Sequence, residues 1–192
     1  MAAPTFKKSK VEQTINLEET FGVSFKNLRS LREAIGEAIL QKIRTRTEAG
    51  TSMSFSATGA GREGRLKSPY SKEYKNSLDF KAFGKSPGKI NMTLTGDMLG
   101  LMDVKKQTGE SITIGWDEKD ENAKAFNHSI GDTVPRRPFF GISKSELSNI
   151  KKEFGSEIRA AVKSRNAEGS KAFESRVAGL LNLITGGTDG ES

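Results

Sequence analysis

Two amphipathic stripes frame this chain and leave few folds open to it. Leu28, Leu31, Ile35, Ile39 and Ile43 recur at spacings of three and four, one face of an α-helix, while Arg29, Arg32, Glu33, Glu37 and Lys42 fall largely off that face. With Asn27 as a cap and Gly50 as a stop, the pattern predicts a long helix over 27–48. Arg44 and Arg46 sit in its last turn, where the helix dipole is reason enough for them. The second stripe is Leu147, Ile150, Phe154, Ile158 and Val162. It follows Ser143-Lys-Ser-Glu146, in which a Ser at the cap and a Glu three residues on satisfy two helix-end N–H groups. A second long helix over 144–164 is expected. Between the stripes the period changes to two: Ile112, Ile114 and Trp116 point to one side of a strand. Residues 104–107 and 110–116 flank Thr108-Gly109, a hairpin signal. Together these features predict an α+β fold, a small, mainly antiparallel sheet packed with two long helices.

The flanks are less constrained. Residues 1–20 carry Lys7, Lys8 and Lys10 with sparse apolar positions, and read as an extended N-terminal arm. The core domain is read as 21–164, opening on a short strand at 21–25. Residues 49–69 read as a long basic loop rich in Gly, Ser and Thr. Its Gly59-Ala-Gly-Arg-Glu-Gly64 is a formal dinucleotide fingerprint, but no apolar strand precedes it and no apolar helix follows, so flexible loop is the better reading. Ser68-Pro69 opens a short helix at about 69–80, with Tyr70, Tyr74 and Leu78 on one face. That spacing favours packing on the core over base stacking. Gly84-Lys-Ser-Pro-Gly-Lys89 has three residues between its glycines, where a phosphate loop has four, and reads as a turn. Thr95 can cap a short helix carrying Met98, Leu99 and Met102, and the acidic stretch 117–122 reads as a loop. Beyond 164, Phe173, Val177, Leu180, Leu181 and Ile184 predict an added C-terminal helix over 171–184, so 165–192 is assigned to that helix and a tail.

Composition narrows function by exclusion. The chain has no Cys, which removes disulfides, thiolate catalysis and Cys-based zinc sites. His128 is its only histidine, so ligand or triad chemistry lacks partners, and a hydrogen-bonding structural role is expected for it. No nucleophile, metal set or paired acid and base stands out: the expectation is no enzyme, no metal and no cofactor. No run approaches the ~18 apolar residues of a membrane span, and the first residues have no signal-peptide core, so synthesis in the cytoplasm and no membrane partner are expected. Only 34 % of residues are hydrophobic, low enough that part of the chain is expected to order on a partner. The net charge of +7 points to polyanions, nucleic acid or an acidic protein surface.

Four pieces then occur in order: Leu94-Thr-Gly-Asp-Met-Leu99, the strand Ile112-Thr-Ile-Gly-Trp116, Ala125-Phe-Asn-His-Ser-Ile-Gly131, and Pro135-Arg-Arg-Pro-Phe-Phe-Gly141. This order resembles the phage virion-morphogenesis and tail-completion proteins, small neck proteins that help tailed phages join head to tail. The family pattern carries Gly96, His128, Gly131, Pro138 and Phe139 as structural positions, and usually has a Tyr where Lys124 stands. The resemblance covers roughly the central quarter of the chain strongly, and the flanking helices match in layout.

What the resemblance implies is a structural virion protein, made in the host cytoplasm, that completes or joins the tail in a multi-copy ring around the DNA channel. Its partners would be copies of itself, the portal-side connector or adaptor, tail-terminator proteins, and genomic DNA through backbone charge. Candidate contacts for a partner or DNA, chosen on charge, are Arg62, Arg65 and Lys67 in the basic loop and Arg136 and Arg137 between the prolines. For the last two, pairing with phosphate or carboxylate on a partner and an internal salt bridge stand equal. The rival reading is a sequence-independent nucleic-acid-binding protein, which accounts for the charge but leaves the ordered motifs unexplained.

Overall fold

A computed structural model describes residues 3–56, 61–66, 70–88, 90, 92, 97–164, 177 and 179. The chain opens with strand β1 (Thr5–Lys7), strand β2 (Lys10–Asn16) and a short helix α1 (Leu17–Phe21). Asn16 caps α1 through its side chain and Gly22 ends it in the left-handed conformation. Residues 3–20 are therefore not an extended arm. Val11, Gln13 and Ile15 alternate inward along β2, a pattern of three that is too short and too interrupted by polar residues to stand out in sequence. Residues 21–25 do not form the expected strand either. Phe21 belongs to α1, and Phe21 and Phe25 meet edge to face at 5.5 Å in the core.

Helix α2 (Arg29–Glu48) follows, as the stripe predicts, with Leu31, Ile35, Ile39 and Ile43 fully buried. Its N-cap is Leu28 rather than Asn27, and no side chain caps it. The stretch read as a long loop folds into an antiparallel pair, strand β3 (Thr51–Phe55) and strand β4 (Gly61–Arg65). Its small polar residues give no apolar alternation to read: β3 buries only the adjacent Ser52 and Met53, and β4 buries no residue. Two short helices come next, α3 (Lys72–Asn76) and α4 (Leu78–Ala82), capped by Ser71 and Ser77. The single helix expected at 69–80 is thus two, and Leu78 is exposed instead of sharing a buried face with Tyr70. Helix α5 (Asp97–Gly100), strand β5 (Asp103–Gln107) and strand β6 (Ser111–Gly115) complete the central region.

Helix α6 (Lys119–Ile130) absorbs part of the acidic stretch expected to be a loop, because Asp120 and Glu121 suit the first turn of a helix. The second stripe forms helix α7 (Lys144–Glu153) and helix α8 (Gly155–Ser164). The helices meet at Phe154, just before Gly155, and the hydrogen-bond ladder carries across: Phe154 N–H donates to Ile150 O and Ile158 N–H to Phe154 O. The capping box of Ser143 and Glu146 is present in both directions. The helix expected over 171–184 lies outside the described residues, apart from Val177, which is buried, and Gly179.

The fold is α+β. One antiparallel sheet has the order β1-β2-β6-β5, with β2 and β6 at its centre, and β3-β4 is a separate two-stranded sheet. Ile15 pairs with Ile112 and Gln13 with Ile114, which sets the inward residues of both central strands on one face. Helix α2 crosses that face closely enough that a Cβ on Gly36 would lie 2.9 Å from Val104 Cγ2. Trp116, Phe139 and Phe140 close the core, with Trp116 and Phe140 ring centroids 5.0 Å apart. The Trp116 indole N–H donates to Met98 O at 2.6 Å, tying β6 to α5.

Candidate functional site

The Ala125–Gly131 and Pro135–Gly141 pieces form one unit. Helix α6 ends at Gly131, whose φ of 84° lets its N–H donate to Asn127 O and turns the chain back. The chain then returns along the helix end it has just left. Arg137 N–H donates to His128 O at 2.7 Å, and Arg136 Nε donates to Ser129 O at 3.2 Å. A side chain at Gly131 would collide with Arg136, since a Cβ there would lie 2.8 Å from Arg136 Cβ. The turn therefore needs Gly for both its angle and its space.

The returning segment is held from three other directions. Met53 N–H of β3 donates to Pro138 O at 2.9 Å. Arg46 of α2 donates through Nη2 to Phe139 O at 2.7 Å and to Gly141 O at 2.8 Å, and its Nη1 pairs with Glu146 of α7. Glu146 also accepts from Ser143 N–H at 2.9 Å, so one carboxylate serves both the cap and the ion pair. Gln13 of β2 grips Ile142 with its side-chain amide, receiving the Ile142 N–H at 2.7 Å and donating to Ile142 O at 3.3 Å. Arg46 is thus more than a dipole partner: it and Glu146 are both buried. Arg44 does a similar job elsewhere, donating to Leu99 O, Gly100 O and Met102 O at the end of α5.

On the other side of this segment lies a cavity of about 500 Å³. Helix α6 contributes His128 and Lys124, and the segment contributes Val134, Pro135 and Arg137. Tyr70 and Tyr74 stand opposite, backed by Phe80, the three ring centroids 5.3–5.4 Å apart. Leu66, Phe80 and Ile90 join Tyr70 in a small second core beneath it. Met92 lies between the two cores with a φ of 57°, uncommon for a residue with a side chain.

The electrostatics of the cavity are lopsided. Lys85 Nζ lies 5.0 Å and Arg137 Cζ 5.1 Å from the Tyr70 ring centroid, and Lys85 also donates to the Tyr70 hydroxyl at 3.2 Å. Burial pushes the Arg137 guanidinium down from its ordinary value, opposed by Tyr70 and Tyr74, yet an arginine stays charged. Burial first, then the charges of Arg137 and Lys85, lower His128 to about 4, so the imidazole is neutral at pH 7. Burial likewise raises Tyr74, helped by Tyr70 and Asp79. Lys124 is paired with Glu121.

The charge-selected residues therefore part company. Arg62 and Arg65 are exposed on β4, three positions apart and so on opposite faces of that strand. Arg136 is exposed at the end of α6, while Arg137 is buried in the cavity wall, not on the surface. Pro138 and Phe139 sit in the clamped segment, with Phe139 fully buried. Lys67 and Gly96 lie outside the described residues. His128 departs from expectation in one respect: its backbone oxygen is bonded, but its side-chain Nδ1 is buried with no hydrogen-bond partner among the described residues. The cavity itself escaped the sequence reading. Its signal was the Tyr70 and Tyr74 pair beside basic residues, with Lys85 in the turn that was set aside.

Among the described residues no group of His, Asp and Glu is placed to hold a metal, and no helix is long and apolar enough to cross a membrane. No protein-family model, no curated protein and no solved structure matches the chain.

Proposed function

We propose that this chain is a structural virion protein of the head–tail neck, several copies of which form a ring around the DNA channel between the portal-side connector and the tail. It acts by shape and charge. The observation that carries this reading is the union of the two most specific pieces of the resemblance: the Ala125–Gly131 helix end and the Pro135–Gly141 segment are bonded to each other at His128 and Arg137. Residues that resemble a family in sequence order thereby acquire a shared structural reason for their spacing. The ring contacts would be heterologous and close by rotation. Arg62 and Arg65, exposed on opposite faces of β4, remain candidates to meet the channel DNA or an acidic neighbour.

Deleting the reading frame from the phage or prophage that carries it, followed by negative-stain imaging of lysates, tests the reading. DNA-filled heads apart from unattached or malformed tails are expected. Normal infectious particles overturn it. The exposed arginines also favour a second reading, sequence-independent binding of nucleic acid by the isolated chain. A steep, salt-dependent affinity for DNA supports that alternative, and weak or absent binding argues against it.

A further inference from the structure

The cavity beside Tyr70 borders the His128–Arg137 backbone bond, but its side-chain lining has no part in the assembly reading. Its volume of about 500 Å³ lies within the range of small-molecule sites, roughly 300–1,000 Å³. One part of its lining is apolar: Met92, Met98, Val134 and Pro135. Another part brings Lys85 and Arg137 to a single ring, each about 5 Å from its centroid. Asp97 is the one carboxylate among the described lining residues, and Lys124 is already paired with Glu121. Among the described lining residues three cations, Lys85, Lys124 and Arg137, thus stand with one acid and one imidazole. Such a lining favours an anion, and the apolar part favours an anion with a body.

We propose that this cavity binds a small organic anion, whose carboxylate or phosphate head meets Lys85 and Arg137 while an apolar or aromatic body lies against Met92, Met98, Val134 and Pro135. A polymeric nucleic acid fits less well. The Tyr70 ring is already engaged by both cations and by the edges of its aromatic neighbours, so it offers no open stacking platform.

His128 is the chain's only histidine and lines the cavity, so its imidazole proton resonances give a private reporter. The full chain is titrated by proton NMR with three probes of one shape: naphthoate, naphthalenemethanol and naphthylmethylammonium. Naphthoate is expected to move the His128 signals saturably and to bind about tenfold tighter than the alcohol, the gain of roughly one charge-assisted hydrogen bond. The ammonium is expected not to bind. Lys85→Gln, in a half-buried turn, is expected to weaken naphthoate by about tenfold and leave the alcohol unchanged. Arg137 is buried, and its variants also read stability, so Lys85→Gln decides the matter.

A bound anion also offsets the cations that act on His128. Among the described residues, the charged and titratable groups that line the cavity with it are Lys85, Arg137, Asp97, Lys124, Tyr70 and Tyr74. Naphthoate binding no tighter than the alcohol, or unaffected by Lys85→Gln, overturns the proposal, as does a His128 resonance that none of the probes moves.

Discussion

Arg46 ties distant parts of this molecule together. Its guanidinium joins α2 to α7 through Glu146 and to the clamped segment through two carbonyl oxygens. Removing one member of a buried pair leaves the other charged and unpaired. Glu146→Ala is therefore expected to cost about 3–5 kcal/mol in urea unfolding. Arg46→Met combined with Glu146→Met should recover only part of that loss, because Phe139 O and Gly141 O stay without their donor. His128 supplies the pH-dependent counterpart. Its pKa is about 4 in the folded chain and near 6.5 when unfolded, so between these values the unfolded state binds more protons. Stability is complete above pH 6.5 and falls as pH drops toward 4, by an amount on the order of 3 kcal/mol. Denaturant midpoints measured from pH 7 to 5, above most carboxylate titration, should show this slope in the native chain and lose it in His128→Gln. Neither role was legible in the sequence. A helix-end arginine has a sufficient local reason, and its partner lies 100 positions away. A lone histidine gives no sign of the cations that will surround it.

At the scale of elements, legibility followed the length of the pattern. The stripe of α2 runs through four helical turns of Leu and Ile, and Ile112, Ile114 and Trp116 alternate cleanly, so both were readable. Strand β2 was not, because Gln13 occupies an inward position where an apolar residue would have completed the alternation. That position is polar for a reason seen only in three dimensions: Gln13 satisfies both backbone groups of Ile142. A chain lacking residues 1–16 is accordingly expected to lose cooperative unfolding, monitored by circular dichroism, whereas removal of a true arm would leave the melt unchanged. The contact of α2 with the sheet gives a sharper test. Gly36→Ala gains helix propensity of about 1 kcal/mol but sets a methyl against Val104. An overpacking cost of about 1–3 kcal/mol less that gain leaves the single variant an expected net loss of about 0–2 kcal/mol. Adding Val104→Ala should return the second variant to a stability above that of Val104→Ala alone, a sign reversal that a double-mutant cycle reads directly.

The whole molecule is an α+β fold whose central strands come from opposite ends of the described sheet sequence. Thr14 and Thr113, 99 positions apart, bond side chain to side chain at 2.9 Å across β2 and β6. Loop closure of that span must precede the reward of pairing, which predicts refolding in milliseconds or longer, not microseconds. The chain's only tryptophan, Trp116, is fully buried beside Phe139 and Phe140, so stopped-flow fluorescence can time the event.

The same pairing has a consequence during translation. Strand β2 leaves the ribosome long before β6 is made, and at about 5–20 residues per second the wait is on the order of 5–20 s. Throughout it, Val11 and Ile15 have only the β1–β2 hairpin to pack on, and the edge of β2 that β6 will take lacks a partner. The lysines around this strand, Lys7, Lys8 and Lys10, put charge of one sign close to that edge in sequence. Charge of one sign disfavours pairing between nascent strands on neighbouring ribosomes before their own β6 arrives.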